Sequence, residues 1–110
     1  MIEWSRVAEL RDEIGYDDFF EVVDLFIEEV AEGIGTLNGK LSASEIERTL
    51  HFLKGSALNL GFTEFAARCH QGEVNAAKGN TDQINLPGIT ESFLLSKNEF
   101  LAALKTRFVT

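Results

Sequence analysis

A histidine is followed three and four positions later by a lysine and a glycine at His51, Lys54 and Gly55, inside the run HFLKGSALNLG from His51 to Gly61. On a helix, positions i, i+3 and i+4 share a face, so an imidazole, an ammonium and a position with no side chain would lie side by side. That is a nucleophile beside a cation beside open space. Farther on, His70 and Glu73 are three residues apart, and both could face the same groove if the chain folds back on itself.

The elements that must position these groups follow from apolar periodicity. Val7, Leu10 and Ile14 predict a short helix from Trp4 to Ile14, ended by Gly15 as a left-handed cap. A turn over Gly15 to Asp18 follows. Asp18 with Glu21 fits a capping box for a second helix, with the stripe Phe19, Val23, Phe26, Val30, Ile34 and Leu37. Its other side, Glu21, Asp24, Glu28 and Glu32, is a solvated face. After a break at Asn38 to Lys40, Ser42 and Glu45 match a second capping box.

The third helix buries Ile46, Leu50, Leu53, Ala57 and Leu60, which puts His51 off the stripe on a flank with Glu47, Lys54, Gly55 and Leu58. Ser56 and Asn59 point away from His51. Gly55 in mid-helix costs about 1 kcal/mol relative to alanine, which hints at a need for space. Gly61 ends this helix and Thr63 caps a fourth running to about Lys78. So short a link predicts an antiparallel hairpin that returns the fourth helix alongside His51. Its stripe, Ala66, Cys69, Gly72, Glu73 and Ala76, is mostly small and allows close approach, with Glu73 as its polar interruption. Cys69 is a small core residue. Thr81 to Leu86 is a loop or a turn of helix. Pro87 opens a last helix to about Phe108, whose stripe is Ile89, Phe93, Phe100, Leu104 and Phe108, with Ser96 inside it and Lys105 and Arg107 near its negative end. The fold class is all-α, an antiparallel four-helix bundle with a short additional N-terminal helix.

Composition bounds the rest. A chain of 110 residues with 45% hydrophobic and 25% charged residues is expected to form one globular domain with one core. The formal charge of -8 disfavours nucleic acid, whose backbone needs clustered Lys and Arg. Charge is also uneven: nine acids and no base lie between Asp12 and Gly39, whereas Lys40 to Lys78 is nearly neutral and holds the histidine segment. One cysteine, no signal-peptide pattern and no membrane-length apolar run lead to the expectation of a cytoplasmic protein without a membrane anchor. A monomer is expected.

The motif H-x-L-K-G-S-x-x-x-x-G, formed by His51, Lys54, Gly55, Ser56 and Gly61 within this helix order, resembles the histidine phosphotransfer (HPt) family of phosphorelay carriers. The resemblance covers nearly the whole chain and implies a four-helix bundle in which the residue matching His51 is phosphorylated, with Lys54 and Gly55 beside it. With glutamate at position 73, His70 and the run GFTEF, the chain is similar to the phosphotransfer domain of chemotaxis histidine kinases. There, residues matching His51, Lys54, His70 and Glu73 form a polar network. Phe62 departs from the alanine that many members have after the glycine. The chemistry agrees: a neutral imidazole nitrogen can attack phosphorus, and a carboxylate on the other ring nitrogen fixes the tautomer and raises basicity. Glu73 is the candidate carboxylate, and Lys54 would stabilise charge on the phosphoryl oxygens. The sequence has no glycine-rich phosphate loop and no carboxylate cluster suited to magnesium, so the phosphoryl donor and its magnesium are expected on a partner.

The expected function is transfer of a phosphoryl group between receiver-domain aspartates by way of His51, with no bound cofactor or metal. Partners are receiver domains of hybrid kinases and response regulators, docking on a rim of Glu47, Arg48, Leu58 and Phe62. Two alternatives are weaker. A zinc site from His51, Cys69, His70 and Glu73 suffers from adjacent ligands that diverge by about 100° on a helix. A phosphorylation-silent adaptor would have no use for both His51 and Lys54.

Overall fold

The computed structural model describes residues 2–107. Trp4–Ile14 forms α1 and Tyr16–Leu37 forms α2, with Gly15 alone between them. Gly15 has φ +98° and ψ 147°, a region a Cβ excludes, and its N–H still closes α1 on the Arg11 carbonyl at 2.8 Å. The junction is tighter than the expected turn: α2 begins at Tyr16, and the expected Asp18–Glu21 capping box gives way to an N-cap at Gly15 with no side-chain hydrogen bond. Asp17 and Asp18 instead occupy the first turn, where the helix dipole favours acids. The buried face of α2 is Phe19, Val23, Ile27, Val30, Ile34 and Leu37, so Ile27 takes the place expected for Phe26, which is half-buried against the core's edge.

Ala43–Asn59 forms α3 behind the Ser42–Glu45 capping box. Ser42 Oγ accepts from the Glu45 N–H at 3.2 Å, and Glu45 Oε1 accepts from the Ser42 N–H at 3.1 Å. The helix ends in a Schellman turn: the Phe62 N–H reaches the Ala57 carbonyl at 2.9 Å and the Gly61 N–H the Leu58 carbonyl at 3.2 Å. Gly61 has φ +73°, and a Cβ there would stand 2.6 Å from the Glu3 carbonyl oxygen. That oxygen is close because the segment before α1 lies on this turn, with the Glu3 N–H on the Gly61 carbonyl at 2.7 Å and an antiparallel bridge from Ile2 to Phe62.

Thr63–Ala77 forms α4; Phe62 is its N-cap residue and Thr63 its first helical residue, not its cap. A short 3₁₀ turn, Thr81–Gln83, leads to α5, Leu86–Arg107. Asn85 Oδ1 accepts from the Gly88 N–H at 3.0 Å, which places Leu86 first and Pro87 second in α5. Its buried face is Ile89, Ser92, Phe93, Ser96, Phe100 and Leu104; the expected continuation at Phe108 lies outside the described residues.

Each of α3, α4 and α5 packs against its predecessor in the chain and α5 returns to α2, closing a four-helix bundle of 47 × 20 × 20 Å. Short links make successive helices antiparallel. α1 lies against α2 and α3 and is tied to α5 by Trp4, which stacks on Phe100 at 5.6 Å with the Arg107 guanidinium 4.5 Å from its ring. Phe19, Phe62, Phe65, Phe100, Leu50, Leu53 and Leu60 are fully buried, each worth about 1.5–3 kcal/mol of hydrophobic stabilisation. The α3/α4 interface is the most extensive in the molecule, and it carries the candidate site.

Candidate functional site

His51 stands on the outer flank of α3 because Leu50, Leu53 and Ala57 turn inward. Its side chain is 70% exposed, whereas those of Lys54 and Glu73 are 22% and 17% exposed. The hairpin at Gly61 brings α4 back so that Glu73 reaches both: His51 Nδ1 to Glu73 Oε2 is 2.8 Å and Lys54 Nζ to Glu73 Oε1 is 2.8 Å. One carboxylate spans the imidazole and the ammonium. His70 closes the chain of contacts from the other end, with its Nδ1 3.4 Å from Lys54 Nζ.

Donor and acceptor chemistry assigns the protons. An ionised carboxylate only accepts, so His51 Nδ1 donates to Glu73, and in the neutral ring Nε2 then carries the free lone pair, pointing away from that bond. An ammonium only donates, so His70 meets Lys54 with a bare Nδ1. For Glu73, burial is the largest influence and works to raise the pKa. The contacts with Lys54 and then His51 together outweigh it, and the carboxyl ends below the ordinary glutamate value. Next to it, burial first and the Glu73 charge second push the Cys69 thiol up to about 12.

Gly55 lies on the exposed flank, and a Cβ built there meets nothing within 4 Å. Ser56 is buried and turned away from the imidazole. Asn59 Oδ1 accepts from Arg6 at 2.9 Å, tying α3 to α1. Of the expected rim, Arg48 and Leu58 are exposed and Glu47 is half-buried. Phe62 does not: it is fully buried, with Phe100 at 5.4 Å and Phe93 at 6.5 Å, because the N-cap position points it into the bundle. Phe52, 50% exposed beside His51, is the apolar surface residue absent from the expected rim. Its place off the buried stripe was a signal available in the helix phase. Among the described residues, no group of three or more His, Cys, Asp or Glu side chains is arranged to hold a metal ion. Cys69 is buried in the core, apart from the exposed imidazoles. Among the same residues no helix is long and apolar enough to cross a membrane.

Comparison with known proteins gives three findings. The family model described as the Hpt domain matches residues 21–105. The phosphorelay intermediate protein YPD1 of Candida albicans is 28% identical over 96 residues, which cover 81% of this chain and 51% of that protein. The chain therefore spans about half the length of this curated relative. No solved structure is a significant match.

Proposed function

The chain belongs to the Hpt domain family, and on that premise we propose that it accepts a phosphoryl group on His51 from one receiver-domain aspartate and delivers it to another. The observation that carries this is the 2.8 Å bond from His51 Nδ1 to Glu73, which leaves Nε2 bare on an exposed ring. Nε2 attacks phosphorus in line; the new N–P bond forms as the P–O bond to the receiver aspartate breaks, and the aspartate carboxylate departs with that electron pair. No proton needs to leave. The Nδ1–H stays against Glu73, whose negative charge stabilises the positive ring that results. Delivery is the reverse of this step with a second receiver.

Lys54, one turn along α3, supplies a point charge for the phosphoryl oxygens. Glu73 holds it at the site beforehand, and His70 holds it from the other side. Gly55 supports the reading independently. A mid-helix glycine costs about 1 kcal/mol relative to alanine, and among the described residues no neighbour requires its small size. The open space suits a partner's backbone or the phosphoryl group. Magnesium and the original donor belong to partner proteins in this scheme, so the chain works as a carrier and not as an ATP-using kinase, in the cytoplasm. The docking rim is assigned to Glu47, Arg48, Leu58 and Phe52.

Incubation with a radiolabelled phospho-receiver tests the assignment. Wild type should acquire acid-labile, alkali-stable label and His51→Gln none. Equal label on the variant, or no label on either protein across a panel of receivers from the same genome, would remove His51 from this role.

A further inference from the structure

Gly72 immediately precedes Glu73, Leu50 immediately precedes His51, and the two meet in the α3/α4 interface. A Cβ added at Gly72 would stand 2.8 Å from Leu50 Cδ1, with Ile84 Cγ2 at 3.4 Å and Ile89 Cδ1 at 3.5 Å. Position 72 is thus enclosed by α3 on one side and by the start of α5 and the segment before it on the other. The clash with Leu50 cannot be relieved by moving toward Ile84 and Ile89, which are already at van der Waals distance. Leu50 is fully buried, and a packed core gives it little room to turn aside. Either the Leu50 methyl, the far end of its side chain, turns aside or the separation of α3 from α4 yields, and the dense packing around Leu50 favours the second.

That same separation is spanned by the bond from His51 to Glu73. At 2.8 Å it is near its optimum, and widening by less than about 1 Å takes it outside hydrogen-bonding range. We infer that Gly72 is a positioning residue for His51: its missing side chain sets the helix spacing at which Glu73 holds the proton on Nδ1 and leaves Nε2 bare. The inference rests on the proposed function for its consequence but not for its geometry.

Long-range ¹H–¹⁵N correlation of the His51 imidazole reads the tautomer, and receiver-to-His51 transfer reads the consequence. Wild type should show a protonated Nδ1 and a bare Nε2. Gly72→Ala should move both nitrogens toward the mixture of a free imidazole and slow transfer roughly 10- to 100-fold, as a misplacement of about 1 Å does. Leu50→Val removes the clashing Cδ1, so Leu50→Val/Gly72→Ala should recover the wild-type nitrogen pattern. Gly55→Ala, a helical glycine in open space, should keep that pattern.

A folded Gly72→Ala with the wild-type tautomer would overturn the inference. So would a folded double variant that stays shifted, or an equal shift in Gly55→Ala. If Gly72→Ala does not fold, the double variant decides. The spectra need no phosphoryl donor. A shifted tautomer in Gly72→Ala alongside a wild type that accepts no phosphoryl group would sink the proposed function and leave Gly72 as a positioning residue.

Discussion

In the proposed role His51 acts as a nucleophile only while Nε2 is bare, so its contact with Glu73 should control reactivity. Removing the negative charge while keeping the shape, in Glu73→Gln, should slow phosphoryl acceptance about 10- to 100-fold in a receiver transfer assay. The same variant has a signature in stability. Glu73 is depressed below the ordinary glutamate pKa, so its ionised form stabilises the fold above about pH 4.3, and that contribution is lost as pH falls through the lower folded-state value. Urea titrations of wild type and Glu73→Gln should therefore differ most at neutral pH and converge in acid; a gap that widens in acid would contradict the sign. At this scale His51, Lys54 and Glu73 were legible because helix phase and a short hairpin suffice to bring them together. The role of Gly72 was not. Its stripe announced close approach, but the atoms it meets include Ile84 and Ile89, whose placement depends on the return of α5.

Elements were legible where their signals are local and uncontested. Ser42 and Glu45 form the expected capping box because nothing upstream competes for the start of α3. Asp18 and Glu21 have the same spacing and form none, because the conformation of Gly15 has already begun α2 at Tyr16. Along so long a helix, one-residue errors of phase are easy, and Ile27 rather than Phe26 faces the core. Within α3, Gly55 separates local stability from use of the surface. Gly55→Ala should raise stability by about 0.5–1 kcal/mol in urea titration, because a Cβ there meets nothing and alanine favours the helix. It should also slow transfer from a receiver. A destabilised variant would mean that the glycine serves internal packing.

Across the whole molecule, the segment before α1 lies on the turn that creates the site. Ile2, Glu3 and Asn59 of α3 through Arg6 connect α1 to the α3–α4 hairpin, while Phe62 anchors that turn among Phe93 and Phe100. These contacts are long-range, which is why Phe62 was expected on a docking rim and is found in the core. Phe62→Ala should cost about 3–5 kcal/mol in thermal or urea unfolding, whereas a rim residue would cost almost nothing. In the proposed role the bundle presents one imidazole nitrogen to receiver domains from a two-helix groove. The most direct measurement is the position of phosphorus on the ring, read by ³¹P and ¹⁵N spectra of ¹⁵N-histidine-labelled protein after exposure to a phospho-receiver. Phosphorus is expected on Nε2 of His51, with Nδ1 still protonated. Phosphorus on His51 Nδ1, or on His70, would contradict it.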